Sequence, residues 1–296
     1  MNTTGQLSYS DKEGQKALVA SEITFYFNRM DNAGGLAEAY NVIMRHIGKN
    51  LRWYRTETMT RSSKMNPEVY DFLSVWFKAG TKLRREYELT LTSNENQDLG
   101  ESWGLRFGVE SDLLPDGAGY FQVSFPQNFA SEQSQEFLSL ALKLGDYIKF
   151  RSGHAGYGVQ YDEGDLDDER DAQIGAWCRR YLCVDYRDFA ATAEYMGNSI
   201  KGVGWLTFID QDFVGLLGGT GKIKRKLGAN AVVHAYKHGL AIQAGPAPIL
   251  GDKNKREDVG VYKEVFRAVE PVVVKEDLAL PGFDEDESLD WINRFA

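Results

Sequence analysis

Glycine- and asparagine-rich breaks cut this chain into short segments whose apolar spacing switches between a period of two and a period near 3.6. The order of those segments constrains the fold more than any other feature. SEITFYFNR (21–29) alternates apolar and polar side chains as a strand, and GGLAEAYNVIMRHIG (34–48) follows with helical spacing. LRWYRTETMT (51–60) is rich in β-formers. Asn66 is placed as an N-cap with Pro67 at the first helical position, opening a helix that ends near Gly80. REYELTLTS (85–93), WGLRFGVES (103–111) and GYFQVSFP (119–126) are three successive extended segments, and 131–150 reads as an amphipathic helix capped by Ser131.

The second half repeats the style. HAGYGVQYD (154–162) is a strand, 168–184 a helix, WLTFI (205–209) a short buried strand, and 211–227 a helix interrupted by glycines. AVVHAY and LAIQAG join through KHG as a hairpin, and 258–272 closes with a helix. The acidic stretch from Lys275 onward packs through Leu289, Trp291, Ile292 and Phe295. The expected fold is α+β, with largely antiparallel sheet packed with helices, in two α/β lobes of one unit. The lobes are expected at 1–150 and 151–275, with an acidic tail at 276–296.

A net charge of −9 and a pI near 5.1 weigh against direct nucleic-acid binding and match the chain to a basic protein partner. The first residues contain no apolar signal core, and no window approaches eighteen apolar residues, so the expectation is a cytoplasmic protein without a membrane span. Cys178 and Cys183, the only cysteines, read as core thiols of a reducing compartment.

The usual catalytic patterns are missing. FVGLLGGTGKIKRK (213–226) looks like a phosphate cradle, but a Walker loop ending at Lys222 needs glycine where Leu216 stands and a hydroxyl where Ile223 stands. His234 and His238 have H-x-x-x-H spacing without the glutamate that a zincin carries. No G-x-S-x-G elbow is present. No catalytic group, cofactor or metal is therefore expected. The conspicuous polar feature is an acidic run, Asp162, Glu163, Asp165, Asp167, Asp168 and Glu169, echoed in the tail by Asp284, Glu285, Asp286 and Glu287. Read as a calcium loop from Asp165, it has Arg170 where glycine is needed and Ala176 where glutamate is needed. Two readings stand: a solvated loop and helix start, or carboxylates presented to a basic cleft. An enzyme using Asp162, Asp165 and Asp252 as acid/base or metal groups is the alternative, and a scaffold protein a third.

Residues 201–271 resemble the TsiV-like type VI secretion immunity family. Trp205, Leu206, Thr207 and Phe208 match its WLTFL segment, with Ile209 in place of leucine. Gly218 and Gly219 match a following Gly–Gly pair, and Gly245, Pro248, Gly251, Asp252 and Tyr262 fit a third element. These motif residues are expected to serve the fold, with the Gly–Gly step letting two backbones approach closely. The resemblance implies a non-enzymatic antitoxin that binds one-to-one to a cognate effector, a VRR-NUC nuclease of the PD-(D/E)XK type, covering its active site or DNA-binding face, with immunity to a non-nuclease effector as the alternative. The two acidic clusters are the candidate partner-binding residues.

Overall fold

The computed structural model describes residues 6–28, 33–77, 86–94, 102–110, 118–161, 167–276, 278–284 and 286–296. The chain begins with β1 (Ser8–Asp11), β2 (Gly14–Asn28), α1 (Ala33–Ile47), β3 (Trp53–Thr56), β4 (Ser63–Lys64) and α2 (Phe72–Trp76). It continues through β5 (Tyr87–Thr92), β6 (Gly104–Glu110), β7 (Ala118–Phe125), α3 (Phe129–Glu132), α4 (Ser134–Tyr147) and β8 (Ser152–Tyr161). Next come α5 (Asp168–Arg180), β9 (Val184–Asp185), α6 (Phe189–Tyr195), β10 (Leu206–Asp210), α7 (Gln211–Leu216) and α8 (Thr220–Lys226). A hairpin of β11 (Ala231–Tyr236) and β12 (Gly239–Ala244), then α9 (Gly260–Val269) and α10 (Glu287–Ile292), complete it.

The strands form one sheet in the order β11-β12-β10-β8-β2-β7-β6-β5-β3-β4, with β1 beside β2 and β9 beside β8. Every pairing among the described strands is antiparallel except β8 with β9. This is the α+β, largely antiparallel architecture that the segment order implies. The boundary expected near residue 150 falls between α4 and β8. Across it, β2 pairs with β7 on one side and β8 on the other, so the sheet continues unbroken.

The central strand decides the layers. Side chains alternate across a strand, so Ile23, Phe25 and Phe27 of β2 face one side while Glu22, Thr24 and Tyr26 face the other. The first face is apolar: Phe25 packs on Phe150 and Phe208, and Phe137 of α4 sits edge-on to Phe125 of β7. On the second face, Phe189 of α6 stacks on Tyr120 and meets Tyr26. Both faces are covered, and β2 is buried from Ala17 to Phe27. A strand pattern that ordinarily marks a half-solvated strand therefore carries buried polar residues here.

Several local expectations need correction. Ser131 does not cap the helix over 131–150: its hydroxyl donates to the carbonyl of Asn128, and a break at Gln133 separates α3 from α4. Asn66 does accept hydrogen bonds from the amides of Glu68 and Val69, but what it caps is a 3-10 turn, Pro67–Asp71, followed by only five α-helical residues. The helix over 168–184 stops at Arg180, which leaves Cys183 in the turn before β9. The Gly218–Gly219 step is required by conformation, not by crowding. Both residues have φ near +85°, linking α7 to α8, and space beside Gly219 is open within 4 Å.

Trp205 shows what the family motif does for the fold. It is buried, its indole Nε1 donates to the Gly245 carbonyl at 3.0 Å, and it stacks on Phe137 at 5.8 Å. Trp205→Ala is expected to cost about 3–5 kcal/mol in denaturant unfolding. A loss below about 1 kcal/mol would contradict this role for the ring.

Candidate functional site

The polar face of β2 holds a buried charge network. Glu22 has no exposed surface, and its Oε2 accepts from Gln122 Nε2 at 2.9 Å and Gln160 Nε2 at 2.5 Å. Its Oε1 lies 2.9 Å from His154 Nε2, which also sits 3.1 Å from Asp185 Oδ2. Lys201 Nζ donates to that same Asp185 oxygen at 2.5 Å and to the Tyr186 carbonyl at 2.7 Å. Arg187 extends the network by donating to Gln160 Oε1 at 2.7 Å. A Cβ on Gly158 would collide with the Glu22 carboxylate, so β8 carries glycine where that side chain lies.

The ligand atoms of Glu22, His154 and Asp185 lie within 4.8 Å of one another, the convergence a metal ion would need. A cation already lies against this group. Lys201 holds Asp185, and burial, which alone would lower the His154 pKa, is outweighed by Asp185 and Glu22, which push it up to about 9. Burial would raise the Asp185 pKa, but Lys201 and His154 hold it well below the usual carboxylate range. Two carboxylates thus face an imidazolium and an ammonium, a self-neutralised buried cluster. The adjoining pocket, lined by Tyr26, Ser152, Asp185 and Lys201 among others, measures about 20 Å³, room for one water. This network fastens the layers and offers no chamber for a substrate.

Where this group sits was not evident from sequence, since Glu22 and Asp185 are 163 positions apart. The available signals were an acidic residue at a polar position of SEITFYFNR and two glycines in HAGYGVQYD.

The acidic residues singled out from sequence lie elsewhere. Asp162, Glu163, Asp165 and Glu285 fall outside the described residues. Asp167 caps α5, its carboxylate accepting from the Arg170 amide at 2.9 Å, while Asp168 and Glu169 are exposed in the first turn. Because residues 168–176 are helical, the run cannot wrap a cation as a calcium loop. The tail lies against the same helix. A Cβ on Gly175 would strike the Gly282 carbonyl, and one on Gly282 would strike the Asp171 carbonyl, so two backbones touch through glycine. Arg179 Nη1 ties the pair, donating to Gly282 O at 3.1 Å and Glu287 Oε2 at 3.0 Å. Asp284 and Asp286 are exposed just beyond. From a third direction, Tyr9 of β1 donates to Glu169 Oε2 at 3.1 Å, bringing Asp11 and Glu13 of the β1–β2 hairpin to the same place. Desolvation raises the Tyr9 pKa, and the charges of Glu169, Asp167 and Asp11 add to it.

Segments far apart in sequence thus build one acidic face around the start of α5. Lys16, which meets Glu13 at 2.9 Å and Asp11 at 3.9 Å, and Arg179 are paired into it. Asp168 makes no ion pair there, and its side chain is free to meet a partner.

The other candidates do not form sites. Asp252, an acid in the enzyme reading, is buried and held by Arg180 through two hydrogen bonds of 3.0 and 2.9 Å, and that contact, more than any other, lowers its pKa. It also accepts from the Asn254 amide, so it locks the loop after β12 to the end of α5. Leu206 and Phe208 pair with β12, Pro248 and Tyr262 are buried, Gly245 receives the Trp205 indole, and Gly251 packs on Cys183. His234 bonds Gln243 while His238 meets Phe150 edge-on, so the two do not converge on a metal. No helix is long and apolar enough to cross a membrane among the described residues.

Comparison with known proteins identifies a family and a structural relative. The profile of the TsiV family, described as type VI immunity for VRR-NUC, matches residues 35–295. The solved structure of the Pseudomonas aeruginosa T6SS protein PA0821 superposes with a TM-score of 0.83 at 16% identity, covering 99% of this chain and 88% of that one. A search among curated proteins finds no match.

The buried network has a pH signature. His154 has a folded pKa of about 9 against an ordinary 6.5, so its contribution is complete below pH 6.5 and is lost as pH rises through about 9. His154→Gln is expected to be less stable at pH 6 and to lack the decline that the native chain shows between those values. Thermal melts across that window check this, and equal slopes in both proteins would contradict it.

Proposed function

Because this chain belongs to the TsiV family of type VI immunity proteins, we propose that it neutralises a VRR-NUC effector by binding it with the acidic face around α5. The observation that supports this reading is the convergence of the β1–β2 hairpin, the first turn of α5 and the tail into one negative surface. A nuclease holds DNA in a basic cleft, and an acidic inhibitor gains fast association and selectivity from opposite charge. In this reading the complex is one-to-one, the chain acts in the cytoplasm where the effector meets DNA, and no catalysis is involved. Covering the DNA-binding face or the active site then suffices to protect the cell.

Asp167 is the wrong residue for a test, since removing a cap costs stability. The informative variant reverses Asp168 and Asp284 to lysine, because both are exposed, while Glu169 is left in place to hold Tyr9. It is expected to keep the native melting profile while associating about tenfold to a thousandfold more slowly with the cognate effector at low salt. Stopped-flow or surface-binding kinetics measure this. An unchanged association rate would place the interface on another surface.

A further inference from the structure

The sheet ends in two very different edges. At one end β4 is two residues long and carries Lys64, the short, charged edge by which proteins discourage strand addition. At the other, β11 runs for six residues, AVVHAY, without a charge, and no strand among the described residues pairs with its outer side. In an antiparallel ladder every second residue of such a strand turns its N–H and C=O outward. Val232 is 47% exposed on this edge.

Beside the edge stands α8, the lysine-rich segment whose spacing does not fit a phosphate cradle. Lys222, Lys224 and Arg225 are exposed and make no ion pair or side-chain hydrogen bond among the described residues. Lys226 donates to the Arg267 carbonyl at 3.2 Å and keeps its charge. Glu264 of α9, close to the start of β11, is engaged by the Gly228 amide at 3.1 Å. A concavity of about 360 Å³ lies between helix and strand, lined by Lys224, Leu227, Gly228, Ala231, Val232 and Val233. A chain of net charge −9 thus concentrates unpaired cations beside a long edge that no described strand covers.

We propose that β11 and α8 form a second docking surface, which takes an extended acidic segment of a partner protein by strand addition. The open backbone groups supply the ladder, Val232 and the concavity accept alternate apolar side chains, and the α8 cations meet the carboxylates. Charge selects this occupant over a second copy of the chain. A two-fold pairing of β11 with itself brings Lys222, Lys224, Arg225 and Lys226 of both copies together, with Glu264 the one acid described beside the strand. The surface is separate from the acidic face, since β11 lies roughly 19 Å from β2 at about 4.8 Å per strand. It goes beyond the effector reading, and the following test uses no effector, so either idea can fail alone.

The test titrates the full chain with a short fluorescent peptide alternating glutamate and valine. Saturable binding is expected, weakened about tenfold or more in the Lys224→Glu, Arg225→Glu variant and abolished when alternate peptide amides are N-methylated. Circular dichroism checks that the variant is folded, and Val232→Lys supplies a second probe of the edge. The proposal is overturned by absence of binding, or by equal binding of a lysine–valine peptide. Equal binding of the N-methylated peptide would also overturn it, because charge alone would then be the cause. So would a dimer in sedimentation that Val232→Lys dissolves, since the edge would then belong to a second copy.

Discussion

A carboxylate buried at the centre of the sheet sets the terms for much of this structure. Glu22 on β2 cannot be left unpaired in that position, because stranding a buried charge costs about 3–5 kcal/mol. Its partners therefore come from the strands on either side, Gln122 from β7 and Gln160 and His154 from β8, and Asp185, itself held by Lys201, backs His154 from the segment that follows α5. These bonds specify which strand lies beside which and in what register. They also explain the parallel pairing of β9, which must lie against β8 to bring Asp185 to His154. The apolar face of the same strand, with Phe25 against Phe150 and Phe208, supplies burial but far less geometric specification.

The outer layer inherits its placement from that centre. Arg187, two residues beyond Asp185, reaches Gln160, and Tyr161 donates back to the Arg187 carbonyl at 2.5 Å, closing the end of β8 beneath α5. Arg170 and Asp171 pair on the buried side of α5, so that helix turns Asp168 and Glu169 outward. The tail then docks through Gly282 on Gly175, and α10 seals the layer with Trp291 near Phe283 and Tyr186. The acidic face is a surface consequence of these contacts. Its carboxylates stay exposed because the cations of this layer are spent inside it.

Much of the fold was legible in sequence because strong periodicity is local. The extended segments that hold β5, β6 and β7 and the AVVHAY–LAIQAG hairpin became strands, and the acidic tail packed through Trp291, Ile292 and Phe295. The errors arose where tertiary contacts overruled local signals. Ser131 has the chemistry of a cap, yet the helix breaks two residues later, and β9 is too short, at two residues, to leave a pattern. Glu22 reads as an ordinary polar position until a covering layer from residues 185–201 is in place. Both acidic runs were visible, but their meeting on α5 depends on Gly175 and Gly282, whose contact spans more than a hundred residues. The family motif, by contrast, was recognisable because Trp205, Gly245 and Asp252 are held by geometry that tolerates few substitutes.

The central claim is that neutralisation works through the acidic face, and hydrogen exchange on the chain with and without its cognate effector tests it most directly. Slowed exchange is predicted in the β1–β2 hairpin, the first turns of α5 and residues 282–287, with the β3–β4 edge unchanged. A stable complex whose protection lies wholly outside those three segments would contradict the account.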